Sequence, residues 1–92
     1  MSAVIAKSVL ICNRRGLHAR ASAKFVTLAS TQPVEVNVAK DGAGAVTGTS
    51  IMGLMMLGAA MGDTITISAT GDGADAAVSA LCELVEAKFG ED

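Results

Sequence analysis

Apolar residues recur along this chain with a period of two in some stretches and of three to four in others, and the changes of period divide it into seven elements. Residues 3–12 are β-branched and apolar on both faces, which predicts a strand whose register the pattern leaves open. Past Gly16, residues 19–30 set Ser22, Phe25, Val26 and Ala29 at helical spacing, and Gln32-Pro33 stops that helix. Residues 34–40 alternate strictly, with Val34, Val36 and Val38 on one face and Glu35 and Asn37 on the other. Asp41-Gly42 then offers a hairpin turn, so a partner strand should return over 43–48. Ser50 is a good N-cap for a short helix over 50–57, although Gly53 weakens it. Residues 63–71 alternate again with Ile65 and Ile67 inward. The last segment, 74–89, sets Ala77, Val78, Leu81, Leu84, Val85 and Phe89 on one stripe, with Gly90 to end it.

The predicted order is β-α-β-β-α-β-α. Four short strands and three helices, each with one apolar face, close most simply as an α+β domain with all the helices on one side of the sheet. Glu35, Asn37, Thr64, Thr66 and Ser68 would lie on the solvated face. The 92 residues hold no internal repeat, so residues 1–92 read as a single domain. Its apolar residues are small or aliphatic, with only Phe25 and Phe89 aromatic, which argues against a large enclosed substrate cavity.

Charge adds a second pattern. The net charge is −2, yet residues 1–34 carry Lys7, Arg14, Arg15, Arg20 and Lys24 and no acid, while all nine acids lie from residue 35 onward. That basic segment would welcome an anion or an acidic partner. Cys12 and Cys82 are far apart and there is one histidine, so no metal site is expected and the thiols read as reduced. Lys7 interrupts the first apolar stretch, so no secretory signal is expected. The uncharged stretch 48–62 is punctuated by glycine and too short on continuous apolar residues to span a bilayer, so the expected location is the cytoplasm.

The lone histidine, His18, falls within the basic segment, between the Gly16 turn and the first turn of the helix. Free backbone N–H groups and the helix dipole favour negative charge there, and Arg20 adds a fixed cation. Such positive surroundings favour the neutral imidazole, which is a nucleophile. Neutralising the transferred oxygens is most of what phosphoryl transfer asks of a protein. Spacing and charge alone also fit a histidine that only caps the helix.

The stretch Gly-Leu-His-Ala-Arg-Ala-Ser-Ala, residues 16–23, resembles the active-site signature of the HPr family, the histidine phosphocarriers of the phosphoenolpyruvate-dependent phosphotransferase system. Residues 50–71 resemble that family's regulatory serine, short interaction helix and last strand, in the right order and at the right separation. The resemblance implies an open-faced β-sandwich of four antiparallel strands with three helices on one face. It implies that His18 takes a phosphoryl group on Nδ1 from phosphorylated enzyme I and passes it to EIIA-type proteins. Arg20, with the N–H groups of Ala19 and Arg20, would hold the phosphoryl group, and no cofactor beyond that transient group is implied. The protein would be a consumed and regenerated intermediate, not a stand-alone catalyst, and is expected to be monomeric. Family members commonly have proline where this chain has Ala21, and often lysine where it has Thr49. The first departure leaves the helix start less preorganised; the second bears on recognition by an HPr kinase.

Ser50 is thus both an N-cap and, by resemblance, a site of regulatory phosphorylation by such a kinase. On the short helix, Leu54 and Leu57 share a face that packs on the sheet, which leaves Ile51, Met52 and Met55 for partners beside Arg20 and Lys24. Met56 and Met61 read as core filler. A nucleic-acid-binding module is disfavoured by the absence of strand-borne aromatic residues and the negative net charge, and no membrane partner is expected. A purely regulatory adaptor acting through Ser50 would leave the histidine motif without a purpose. The motif serves both sugar-uptake and nitrogen-type regulatory branches and does not choose between them.

Overall fold

A computed structural model describes residues 3–91. The elements follow the predicted order: β1 (Val4–Leu10), α1 (Ala19–Ser30), β2 (Val36–Lys40), β3 (Gly44–Thr47), α2 (Ile51–Met56), β4 (Thr64–Thr70) and α3 (Ala74–Glu86), then a single 3-10 turn at Lys88–Gly90. The strands form one antiparallel sheet in the order β1-β4-β2-β3, so the first and last strands pair and the β2-β3 hairpin completes the other edge.

The pairing fixes the register that the apolar first strand left open. Val9 of β1 lies opposite Ile65, and Val36 and Val38 lie opposite Ala69 and Ile67. All of these side chains are buried under the helices. Residues between them point outward; on that open face Ser8 and Thr66, directly paired, bond through their hydroxyls at 3.2 Å. α3 lies across β1 and β4, and α1 packs on both α2 and α3. Ala21, Ser22, Phe25 and Ala29 are the buried stripe of α1, and Ala74, Ala77, Val78, Leu81, Cys82 and Val85 that of α3. This is the open sheet with three helices on one face that the sequence predicts.

Two expectations need correction. Helix α3 stops at Glu86, three residues short of the predicted end, although Phe89 is in the core as its spacing implied. Lys88 and Phe89 instead take left-handed backbone angles, φ +59° and +54°, and Gly90 follows at +75°. Left-handed geometry costs a side-chain-bearing residue about 1–2 kcal/mol. The two together cost about 2–4 kcal/mol, which burial of the phenylalanine, worth about 1.5–3 kcal/mol, offsets together with the bond from Lys24 Nζ to Phe89 O. Periodicity cannot tell an aromatic delivered by such a turn from one delivered by a helix. Met56 and Met61, read as core filler, are instead 76% and 58% exposed. Leu54 and Leu57 already fill the space beneath α2, so the methionines have nothing to pack into.

Candidate functional site

The site forms where the loop after β1 meets the start of α1. Ile11 N–H donates to Asp63 O, and Gly62 N–H returns a bond to Ile11 O, both at 2.8 Å, so the loop leaves the sheet at a fixed point. It then turns at Gly16, whose φ of +64° suits glycine. A Cβ there would lie 2.4 Å from Ala59 O, and the next N–H, that of Leu17, donates to this same carbonyl at 3.0 Å. The turn is thereby pinned against the loop that follows α2. Leu17 is buried, which leaves His18 at the rim as the N-cap of α1.

As cap, His18 is extended, with φ −73° and ψ 178°, and its Nδ1 accepts the Arg20 backbone N–H at 3.2 Å. Its carbonyl accepts Ser22 N–H at 2.9 Å, while the buried Ser22 hydroxyl donates to Leu17 O at 3.2 Å. The imidazole is thus oriented at both ends of its short connection to the backbone. Ala19 and Arg20 are exposed, so the open mouth of the helix faces solvent. Arg14, Arg15, Arg20 and Lys24 line an adjoining cleft of about 350 Å³, together with Gly90 and Glu91.

Glu91 is the residue that sequence reasoning missed. The basic segment contains no acid, but the end of the chain brings one to it: Glu91 Oε2 and His18 Nε2 are hydrogen-bonded. Asn13, fully buried, donates from Nδ2 to Glu91 Oε1 at 3.0 Å and to Gly16 O at 2.8 Å. The Asn13 bond foremost, with the His18 bond and the charge of nearby Lys24 behind it, holds the Glu91 carboxyl below the usual glutamate range, against an opposing effect of desolvation second only to the Asn13 bond. His18 and Glu91 are 73 positions apart, so local pattern gives no sign of the contact. The one available signal was Phe-Gly-Glu after the last helix, an anchor, a turn and a carboxylate in succession.

The remaining predicted residues fall into two groups. Lys24, expected to face partners, is exposed, but its Nζ donates to Phe89 O at 2.7 Å and so secures the terminal turn. Ser50 caps α2 as expected: its Oγ accepts Gly53 N–H at 2.9 Å. Gly53 has its own reason, since a Cβ there would press to 3.1 Å on both Ser50 Oγ and Val46 Cβ. Ile51, Met52 and Met55 are exposed at 42%, 69% and 43%, while Leu54 and Leu57 are buried, as predicted. Because α1 and α2 pack together, the Ser50 helix lies beside the helix that His18 caps.

Cys12 is a half-buried and Cys82 a buried free thiol, and burial pushes the latter's pKa up. Among the described residues no cluster of three or more His, Cys, Asp or Glu is placed to hold a metal ion, and no helix is long and apolar enough to cross a membrane.

Residues 5–87 match the PTS-HPr family, described as the PTS HPr component phosphorylation site. The chain is 46% identical over 85 residues to a phosphocarrier protein NPr of Shewanella violacea, covering 92% of both chains. It is 42% identical over 86 residues to a phosphocarrier protein HPr of Pseudomonas aeruginosa, covering 94% of this chain and 96% of that one. Among solved structures it resembles HPr-C-His from Thermoanaerobacter tengcongensis, with a TM-score of 0.89 and 42% identity over 96% of this chain and 98% of that one. An HPr dimer from the same organism is similar at a TM-score of 0.73 and 44% identity, over 90% of this chain and 94% of that one.

Proposed function

The chain belongs to the PTS HPr family of phosphocarrier proteins, and from that premise we propose that its phosphoryl group rides on His18, accepted from phosphorylated enzyme I and passed to an EIIA-type protein. The observation that carries this reading is the state of Nδ1. A backbone N–H only donates, so the bond from Arg20 N–H requires an unprotonated, lone-pair-bearing Nδ1 at the mouth of α1.

The lone pair attacks phosphorus as the bond between phosphorus and the donor breaks. Arg20 N–H, which now caps the helix through Nδ1, passes to a phosphoryl oxygen, and the exposed N–H of Ala19 and the Arg20 guanidinium supply further positive charge. One interaction is exchanged for a stronger, charge-assisted one, so the helix stays capped throughout. Transfer to the acceptor runs the same steps backward. The protein returns unchanged and needs no bound cofactor.

Partners would dock on the exposed face of α2, formed by Ile51, Met52 and Met55 and widened by Met56, and the basic cleft between the start of α1 and the terminal turn would add charge. Flexible apolar side chains suit a carrier that meets several unlike proteins and leaves each of them. Phosphorylation of Ser50 by an HPr kinase would keep negative charge at a helix N-terminus, where it is tolerated, and place it beside the docking face, where it repels acidic partners. The protein works as a monomer in the cytoplasm, in a sugar-uptake or nitrogen-type branch set by which EIIA-type acceptor takes the group.

The test is incubation with enzyme I, magnesium and phosphoenolpyruvate, followed by intact mass and an acid wash. One phosphoryl group, lost in acid and absent from His18→Ala, is the expected result. Normal acceptance by His18→Ala would overturn the assignment.

A further inference from the structure

Two contacts fix the imidazole of His18, and each of them admits one assignment of its proton. Arg20 N–H donates to Nδ1, so Nδ1 carries no proton. The Glu91 carboxylate, held ionised by its Asn13 partner, accepts only, so Nε2 carries the proton and donates it. We infer that Glu91 is a positioning residue for phosphoryl transfer: it holds His18 in the Nε2–H tautomer, keeps Nδ1 as the nucleophile, and faces the positive charge that the ring acquires when Nδ1 is phosphorylated. This inference rests on the reading of His18 as the phosphoryl carrier and adds to it a residue outside the Gly16–Ala23 stretch.

The step balances without moving a proton. The Nδ1–P bond forms from the ring's lone pair, and the electron pair of the donor–phosphorus bond leaves with the donor. Nε2 keeps its hydrogen, so the neutral imidazole becomes a cationic ring bearing the phosphoryl group, opposite a carboxylate already in hydrogen-bond contact. A cationic ring is also the better leaving group in the second transfer. A carboxylate that orients a histidine through its far nitrogen plays the same part in other nucleophilic and metal-binding sites.

The structure invests in this contact. Asn13 spends both amide hydrogens on Gly16 O and Glu91, which leaves its Oδ1 buried with no partner among the described residues. An unpaired buried oxygen costs about 1–3 kcal/mol. Two left-handed residues, a buried Phe89 and the Lys24 Nζ bond to Phe89 O all serve to aim the terminal segment at His18. A side chain that merely happened to lie against the ring would not require a polar group buried beneath it.

The test pairs nitrogen-detected NMR of the His18 ring with phosphorylation rates for the unaltered protein, Glu91→Ala and Glu91→Gln. Gln keeps an acceptor oxygen and drops the charge. In the unaltered protein the neutral ring should be the Nε2–H tautomer. Glu91→Ala should mix the tautomers and slow acceptance from phosphorylated enzyme I by about tenfold, the lower end of what orienting partners of functional histidines contribute. Glu91→Gln should keep the tautomer and lose only part of the rate. An Nδ1–H tautomer in the unaltered protein would overturn the inference. So would a Glu91→Ala ring unchanged in tautomer, whether or not the rate falls, since any loss would then come from charge or docking. If the unaltered protein takes no acid-labile phosphate, the carrier reading itself fails, and the NMR result still reports separately on the contact.

Discussion

At residue 16 a hydrogen atom stands where a methyl group would strike Ala59 O at 2.4 Å, on a backbone whose φ is +64°. Gly16→Ala should therefore cost more than the roughly 1–2 kcal/mol of a left-handed alanine, because the loop must also move. It should slow phosphoryl acceptance by shifting Leu17 and His18; urea unfolding and the transfer rate report the two effects separately. Glu91 makes a prediction about pH. Its folded-state pKa is lowered, so its contribution to stability is whole above the usual glutamate range and is lost as the pH falls through the lowered value. The stability difference between the unaltered protein and Glu91→Gln should be present at neutral pH and vanish in acid, with His18, Lys24 and Asn13 the groups that face the carboxyl. A difference independent of pH would mean that the charge of Glu91 does not act in the fold.

Among the elements, α2 separates two roles of one residue. Ser50→Ala removes the Gly53 N–H acceptor and should cost about 1 kcal/mol in urea unfolding. Ser50→Asp keeps an N-cap of comparable quality and should cost little, yet weaken docking on enzyme I by adding charge beside Ile51 and Met52. A larger loss of enzyme I affinity in Ser50→Ala than in Ser50→Asp would show that the cap, not the charge, matters there. The elements themselves were legible because their signals are local: alternation in 34–40 and 63–71, helical spacing in 19–30, Pro33, Asp41-Gly42 and the Ser50 cap. The signature around His18 was legible for the same reason. What was not legible depended on distant partners. The exposure of Met56 and Met61 depends on how Leu54 and Leu57 fill the space below, and the end of α3 depends on a core that receives Phe89 from a turn. Glu91 was invisible at the site because only the tertiary fold joins positions 18 and 91.

The described residues measure 38 × 27 × 20 Å, with His18 at the rim of the helical layer and the sheet open to solvent behind. The molecule offers a partner a charged cleft and an apolar patch, not an enclosed cavity, and exchange between partners requires contacts that release. Five cations in residues 1–34 against nine acids elsewhere make association with an acidic partner sensitive to screening. The second-order rate of phosphoryl acceptance should fall steeply as salt is raised, while the rate within the formed complex stays nearly constant. The central claim is that His18 carries the group from one protein to another. The most direct measurement loads the protein with phosphoryl groups, removes the donor, and adds unphosphorylated enzyme I with pyruvate. The group should return through enzyme I to phosphoenolpyruvate far faster than it is lost to water; release only as inorganic phosphate would contradict a carrier.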